Sequence, residues 1–125
     1  FIDVAAGKYH TCGLLPDGDV TCWGYNDVGQ GDPPPGPFSA ISAGDRHTCG
    51  IQTGGETDGA ILCWGSNAFG KVDGHTNVGG GEVSYVGPFT AMSLGGEHSC
   101  GLMGDKSVNC WGKDSNAQAT VPTFE

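Results

Sequence analysis

One heptapeptide is written three times in this chain. Gly7-Lys8-Tyr9-His10-Thr11-Cys12-Gly13 returns as Gly44-Asp45-Arg46-His47-Thr48-Cys49-Gly50 and again as Gly95-Gly96-Glu97-His98-Ser99-Cys100-Gly101. A Phe stands six residues before the first Gly of each copy (Phe1, Phe38, Phe89). A Cys-Trp-Gly follows each copy: Cys22-Trp23-Gly24, Cys63-Trp64-Gly65 and Cys110-Trp111-Gly112. A unit that recurs in this way is one supersecondary element that cannot bury its apolar face alone, so it stacks on its neighbours. The repeats divide residues 1–125, a length suited to one domain, into units 1–37, 38–88 and 89–122, with 123–125 opening a fourth.

The 24 glycines and 7 prolines call for many tight turns and short strands. No window carries an apolar stripe of helical period, and no apolar run of about 18 residues suggests a membrane span. In the first unit, residues 11–15 and 20–23 read as strands around Pro16-Asp17-Gly18, a strong turn signal. Cys12 and Cys22 lie symmetrically about Asp17, so the hairpin sets them face to face. Cys100 and Cys110 flank Asp105 in the same way, and Cys49 and Cys63 flank a longer tip at 54–59. The same placement in three hairpins selects the pairing Cys12–Cys22, Cys49–Cys63, Cys100–Cys110. Paired cysteines with none left over indicate an oxidising, extracellular compartment. Zinc is the rival reading, but it usually takes cysteines two to four residues apart, and these pairs are 10, 14 and 10 apart.

The net charge of −9, with 14 acidic against 5 basic residues, disfavours nucleic acid and anionic membrane surfaces as partners. It suits a soluble extracellular protein, and a basic partner or calcium is the sharper alternative. Each Trp follows a Cys and so points to the opposite face of its strand, which places Trp23, Trp64 and Trp111 between neighbouring units. An exposed ladder of these rings, stacking on a ligand such as a glycan, is the other reading. His10, His47 and His98 stand at equivalent positions. An active site needs unlike groups converging on one place, so repetition points to a packing role, such as a ring nitrogen holding a turn carbonyl. A ring of three His around an axis, binding a metal, is the minority view.

Residues 4–14, Asp17-Gly18 and the run from Cys22 to Gln30 resemble a repeat of the regulator of chromosome condensation family. Trp64-Gly65-Ser66-Asn67-Ala68-Phe69-Gly70 matches the same segment, whereas the third copy departs from it at Lys113-Asp114-Ser115-Asn116. The paired cysteines are similar to the secreted and receptor-ectodomain branch. The resemblance implies an all-β fold of β-propeller blades, about one four-stranded blade per repeat, and mostly non-enzymatic docking functions. The nucleotide-exchange activity of nuclear members does not carry over, because charge, cysteine usage and blade number all differ. Closed propellers take about four to eight blades, so three repeats imply an open arc. Such an arc is either part of a larger propeller or completed by oligomerisation, into six blades by a two-fold or into a filament by a non-closing contact. A chain beginning with Phe1 reads as a processed product or a piece of a longer one.

The second unit is longer than the others, and its loop 71–87 offers His75, Asn77 and Tyr85 as partner contacts. Asp32-Pro33-Pro34-Pro35-Gly36-Pro37 reads as a polyproline connector. There is no Asn-x-Ser/Thr sequon, no G-x-S-x-G, no H-E-x-x-H and no phosphate-binding loop, so neither catalytic residues nor a cofactor are assigned. The expected function is that of a secreted, non-enzymatic assembly module whose partner is protein, either copies of itself or further repeats of the same chain. The alternatives are an inhibitory propeller acting through 71–87 and a glycan-binding protein.

Overall fold

A computed structural model of the chain describes residues 1–26, 31, 33–54, 58–65, 83–85 and 88–112, of which 83–85 are described as backbone alone. His75 and Asn77 lie outside the described residues, as do Lys71–Gly81 and the segment 113–125. The described residues form ten strands in three antiparallel sheets. The first sheet holds β1 (Asp3–Ala6), β2 (His10–Leu14) and β3 (Val20–Gly24). The second holds β4 (Phe38–Ala43), β5 (His47–Gln52), β6 (Ile61–Gly65) and a fourth strand, β7 (Val83–Tyr85). The third holds β8 (Phe89–Leu94), β9 (His98–Met103) and β10 (Val108–Gly112). Each sheet is one propeller blade, and the three stand in an open arc in which β4 lies against β1 and β2, and β8 against β4 and β5.

Turn chemistry fixes the register of each hairpin. The Leu15 N–H bonds the Asp19 carbonyl, the Gly18 N–H bonds the Leu15 carbonyl, and Asp17 Oδ1 accepts the Asp19 N–H at 3.0 Å. This closure sets Leu14 opposite Val20 and therefore Cys12 opposite Cys22. The third blade repeats it, with Asp105 Oδ1 accepting from both the Ser107 N–H and hydroxyl, and these two bonds hold the Asp105 carboxyl below the usual carboxylate range. Cys49 stands opposite Cys63 and Cys100 opposite Cys110. All three opposed pairs are disulfides, with S–S distances of 2.09, 2.06 and 2.05 Å. A loop this short, closed by a bridge, is stabilised by about 2–3 kcal/mol in the chain-entropy account.

The core is not inside the blades but between them. One apolar cluster joins Ala5, Cys12 and Leu14 of the first blade to Phe38, Ile41, Leu62 and Trp64 of the second. The other joins Cys49, Ile51, Ile61 and Cys63 of the second blade to Phe89 and Trp111 of the third. Alternation along each strand is the cause, because Cys63 and Trp64 are neighbours in sequence and so face opposite joints. Each blade therefore has a head face, carrying its Phe and Trp, and a tail face, carrying its disulfide.

Candidate functional site

The joint between blades is the unit from which this molecule is built, and its geometry explains the repeated heptapeptide. His10 Nε2 shares a 2.8 Å hydrogen bond with Thr48 Oγ1 of the next blade, and His47 Nε2 shares one of 2.9 Å with Ser99 Oγ. The ring thus holds a hydroxyl across the joint, and not the turn carbonyl expected from the sequence. Its partner is the Thr or Ser two positions before the repeated Gly of the following blade, Gly50 or Gly101. A hydroxyl in that place on all three copies was the signal for this bond in the sequence, but its partner lies 38 or 52 residues away. The Gly three residues before each His is explained as well. A Cβ on Gly7 would lie 2.2 Å from His10 Cε1 and 2.5 Å from the Gly44 carbonyl oxygen, so only glycine lets the ring pass.

Both joint histidines are buried, and burial pushes the His10 imidazole below its ordinary pKa. Among the described residues His10 Nδ1 has no hydrogen-bond partner, so protonating it would leave a buried N–H without an acceptor there. Backbone bonds complete the joints. The Phe38 N–H donates to the Gly18 carbonyl at 2.8 Å, and the Phe89 N–H donates to the Gly59 carbonyl at 2.8 Å.

The two ends of the arc show the same chemistry with half of it uncovered. Trp64 and Trp111 are 2% and 6% exposed, yet Trp23 is 49% exposed. Trp23 does not pack between blades, because each Trp packs on the tail of the blade before it and no described blade precedes the first. Phe38 and Phe89 are 2% and 4% exposed, and Phe1 is 70% exposed. Phe1 still stacks on Trp23 at 5.9 Å between centroids, as Phe38 does on Trp64 at 5.8 Å, so the head face is preformed but bare. At the other end, Ala91, Ser93, Cys100, Leu102 and Val108 line an open, mostly apolar groove of about 340 Å³ on the tail of the third blade. His98 is half-buried and, among the described residues, makes no bond like those of His10 and His47.

Three further features complete the surface. Ala6-Gly7-Lys8, Ala43-Gly44-Asp45 and Leu94-Gly95-Gly96 meet around an open cavity of about 370 Å³ at the ends of the first strand of each blade. Tyr9 and Tyr25 meet edge to face beside Arg46. Tyr85 lies in β7, whose backbone pairs it with Ile61. With two of the three tryptophans inside joints, the rings form no exposed ladder. His10 and His47 bond hydroxyls at two successive joints, and no group of His, Cys, Asp or Glu among the described residues is arranged to hold a metal.

Comparison with known proteins agrees with this architecture. The family model for the regulator of chromosome condensation (RCC1) repeat matches residues 1–30, 38–71 and 89–118. Among solved structures, the CRINKLY WD40 ectodomain of the Arabidopsis thaliana receptor kinase ACR4 is 31% identical, with a TM-score of 0.63, covering 90% of this chain and 36% of that one. The ectodomain of the Physcomitrella patens receptor kinase CR4 is also 31% identical, with a TM-score of 0.68, covering 90% of this chain and 28% of that one. Prp20p from Saccharomyces cerevisiae, at 19% identity and a TM-score of 0.75 over 98% of this chain and 35% of its own, shares the fold. The chain thus spans about a third of the length of these structures. With the repeat matched in all three blades, the chain belongs to the regulator of chromosome condensation (RCC1) repeat family.

Proposed function

We propose that this chain is an extracellular, non-enzymatic module that works by docking protein onto the end faces of its blade arc. The observation that carries this reading is the contrast between Trp23, half in water, and Trp64 and Trp111, inside joints. Large aromatic rings that are prearranged and exposed on a rigid scaffold are the usual chemistry of a protein-binding surface. Three disulfides with no free cysteine favour an oxidising compartment, and the two relatives at 31% identity are receptor ectodomains. The chemistry of the joints favours binding over turnover, since His10 and His47 are buried and hydrogen-bonded within them.

The test is cross-linking of the chain in extracellular fluid with a non-selective photoreactive reagent, followed by mapping of the linked residues. Links from Phe1, at the head end, and Lys106, at the tail end, to protein are the expected result. Links confined to the outer rims, with both end faces left solvent-accessible, would overturn it.

A further inference from the structure

We infer that the turn end of the first joint, where Lys8, Tyr9, Tyr25 and Arg46 stand together, is a second docking site, and that it takes an acidic peptide segment of a partner protein. The site goes beyond the end faces. It lies between two blades of the chain, so it does not depend on what flanks the arc.

Its construction follows from the repeat. The turn between the first two strands of each blade is Gly-x-x-His, and the two x positions differ from copy to copy: Lys8-Tyr9, Asp45-Arg46 and Gly96-Glu97. The place after each Cys-Trp-Gly differs too, with Tyr25, Ser66 and Lys113. Gly24, at φ 102°, brings the end of β3 against the first turn, since a Cβ there would lie 2.6 Å from the Tyr9 carbonyl oxygen. The Tyr25 N–H donates to that same oxygen at 2.8 Å. The two rings then meet edge to face, with 6.4 Å between centroids. Lys8 Nζ stands 5.5 Å from the Tyr9 centroid. Arg46 of the second blade joins both rings in lining an open cleft of about 420 Å³.

Packing does not account for this pair. Tyr9 and Tyr25 are 61% and 55% exposed, and the second and third blades carry no aromatic at either place. Exposed tyrosines fixed beside an arginine have the composition of a binding hot spot. Charge then selects the partner. The chain has a net charge of −9 and five basic residues, yet two of the five, Lys8 and Arg46, stand at this cleft. Asp45 lies toward the third blade, where its Oδ2 would be 3.0 Å from a Cβ on Gly96. A carboxylate entering the cleft meets an ammonium and a guanidinium, and the guanidinium can hold it through two bonds. An apolar side chain beside it fills the angle between the rings. An acidic sugar would stack flat on a ring face, but Lys8 stands over Tyr9 and the rings are set edge to face. A peptide with Asp or Glu next to an apolar residue fits the site better.

The test pans a library of random peptides displayed on phage against the oxidised chain, after depletion on the double variant Arg46→Glu, Tyr25→Ser. Both substitutions copy residues used at the same places in other blades, Glu97 and Ser66, so the scaffold accommodates them. The retained peptides are expected to be rich in Asp and Glu beside an apolar residue. Synthetic copies should bind the chain in fluorescence anisotropy, and each single substitution should weaken binding about tenfold or more. Lys106→Asn, which removes a cation from the third hairpin, and Trp23→Asp, on the head face, should leave the affinity unchanged. Lys8→Gln and Tyr9→Ser replace any variant that circular dichroism shows to be unfolded.

A selection that yields no acidic peptides overturns the inference. So do peptides whose affinity survives both substitutions, or a uronic acid oligosaccharide that binds the cleft more tightly than any of them. If affinity falls with Trp23→Asp and not with Arg46→Glu, the cleft is refuted while docking on the end faces stands.

Discussion

Trp23, Trp64 and Trp111 offer one experiment in which sequence context is held nearly constant and burial is not. Trp64→Ala removes a ring that is 2% exposed and packed on Phe38 and the first blade. Large-to-small changes of this kind cost about 3–5 kcal/mol, combining lost transfer energy with the cavity left behind. Trp23→Ala removes a ring already 49% exposed, so about half of the transfer energy is at stake and no closed cavity remains. Its cost should be about 1–2 kcal/mol on the same scale. Urea unfolding of the oxidised chain, followed by far-ultraviolet circular dichroism in dilute solution, measures both. The midpoint should fall far more for Trp64→Ala, with little change in the slope. Equal costs for the two variants, or a Trp64→Ala cost below about 1 kcal/mol, would refute the assignment of the core to the joints.

Other outcomes follow from the same joints. The His10 imidazole is held below its ordinary value by burial, so the unfolded chain takes up the proton first as pH falls. The stability this ring contributes is present in full above an unfolded pKa of about 6.5 and declines as pH drops below it, a slope that His10→Gln should reduce in urea titrations at several pH values. Gly7→Ala would drive a methyl group to 2.2 Å from His10 Cε1, and overpacking of this kind should cost about 1–3 kcal/mol by the same denaturation assay. Cys12, Cys49 and Cys63 are fully buried in joints, while Cys100 and Cys110 are half-buried at the tail, so limited reduction and alkylation should label the third disulfide first.

Much of the blade was legible in the sequence, because the signals that fix it are local. Pro16-Asp17-Gly18 and Gly104-Asp105-Lys106 mark turns, and symmetric spacing about them opposes the cysteines. The period of two told that Trp and Cys face opposite ways. What remained hidden depends on a neighbour outside the window. Cys22-Trp23-Gly24 and Cys63-Trp64-Gly65 are alike in sequence, and only the presence of a preceding blade separates an exposed ring from a buried one. The partner of each histidine was concealed for the same reason. Thr48 and Ser99 read as ordinary strand residues until the next blade is placed against them. The Gly-to-His spacing reads as turn chemistry, although the ring's passage over the glycine is what requires it.

Hydroxyl-radical footprinting of the unmodified oxidised chain tests the layout of blades most directly. At dilutions where the chain is monomeric, mass spectrometry should find Trp23 and Phe1 oxidised rapidly, with Trp64, Trp111, Phe38 and Phe89 protected. Similar oxidation rates at the three tryptophans of the monomer would contradict it, since within one copy Trp64 and Trp111 pack on a preceding blade and Trp23 does not.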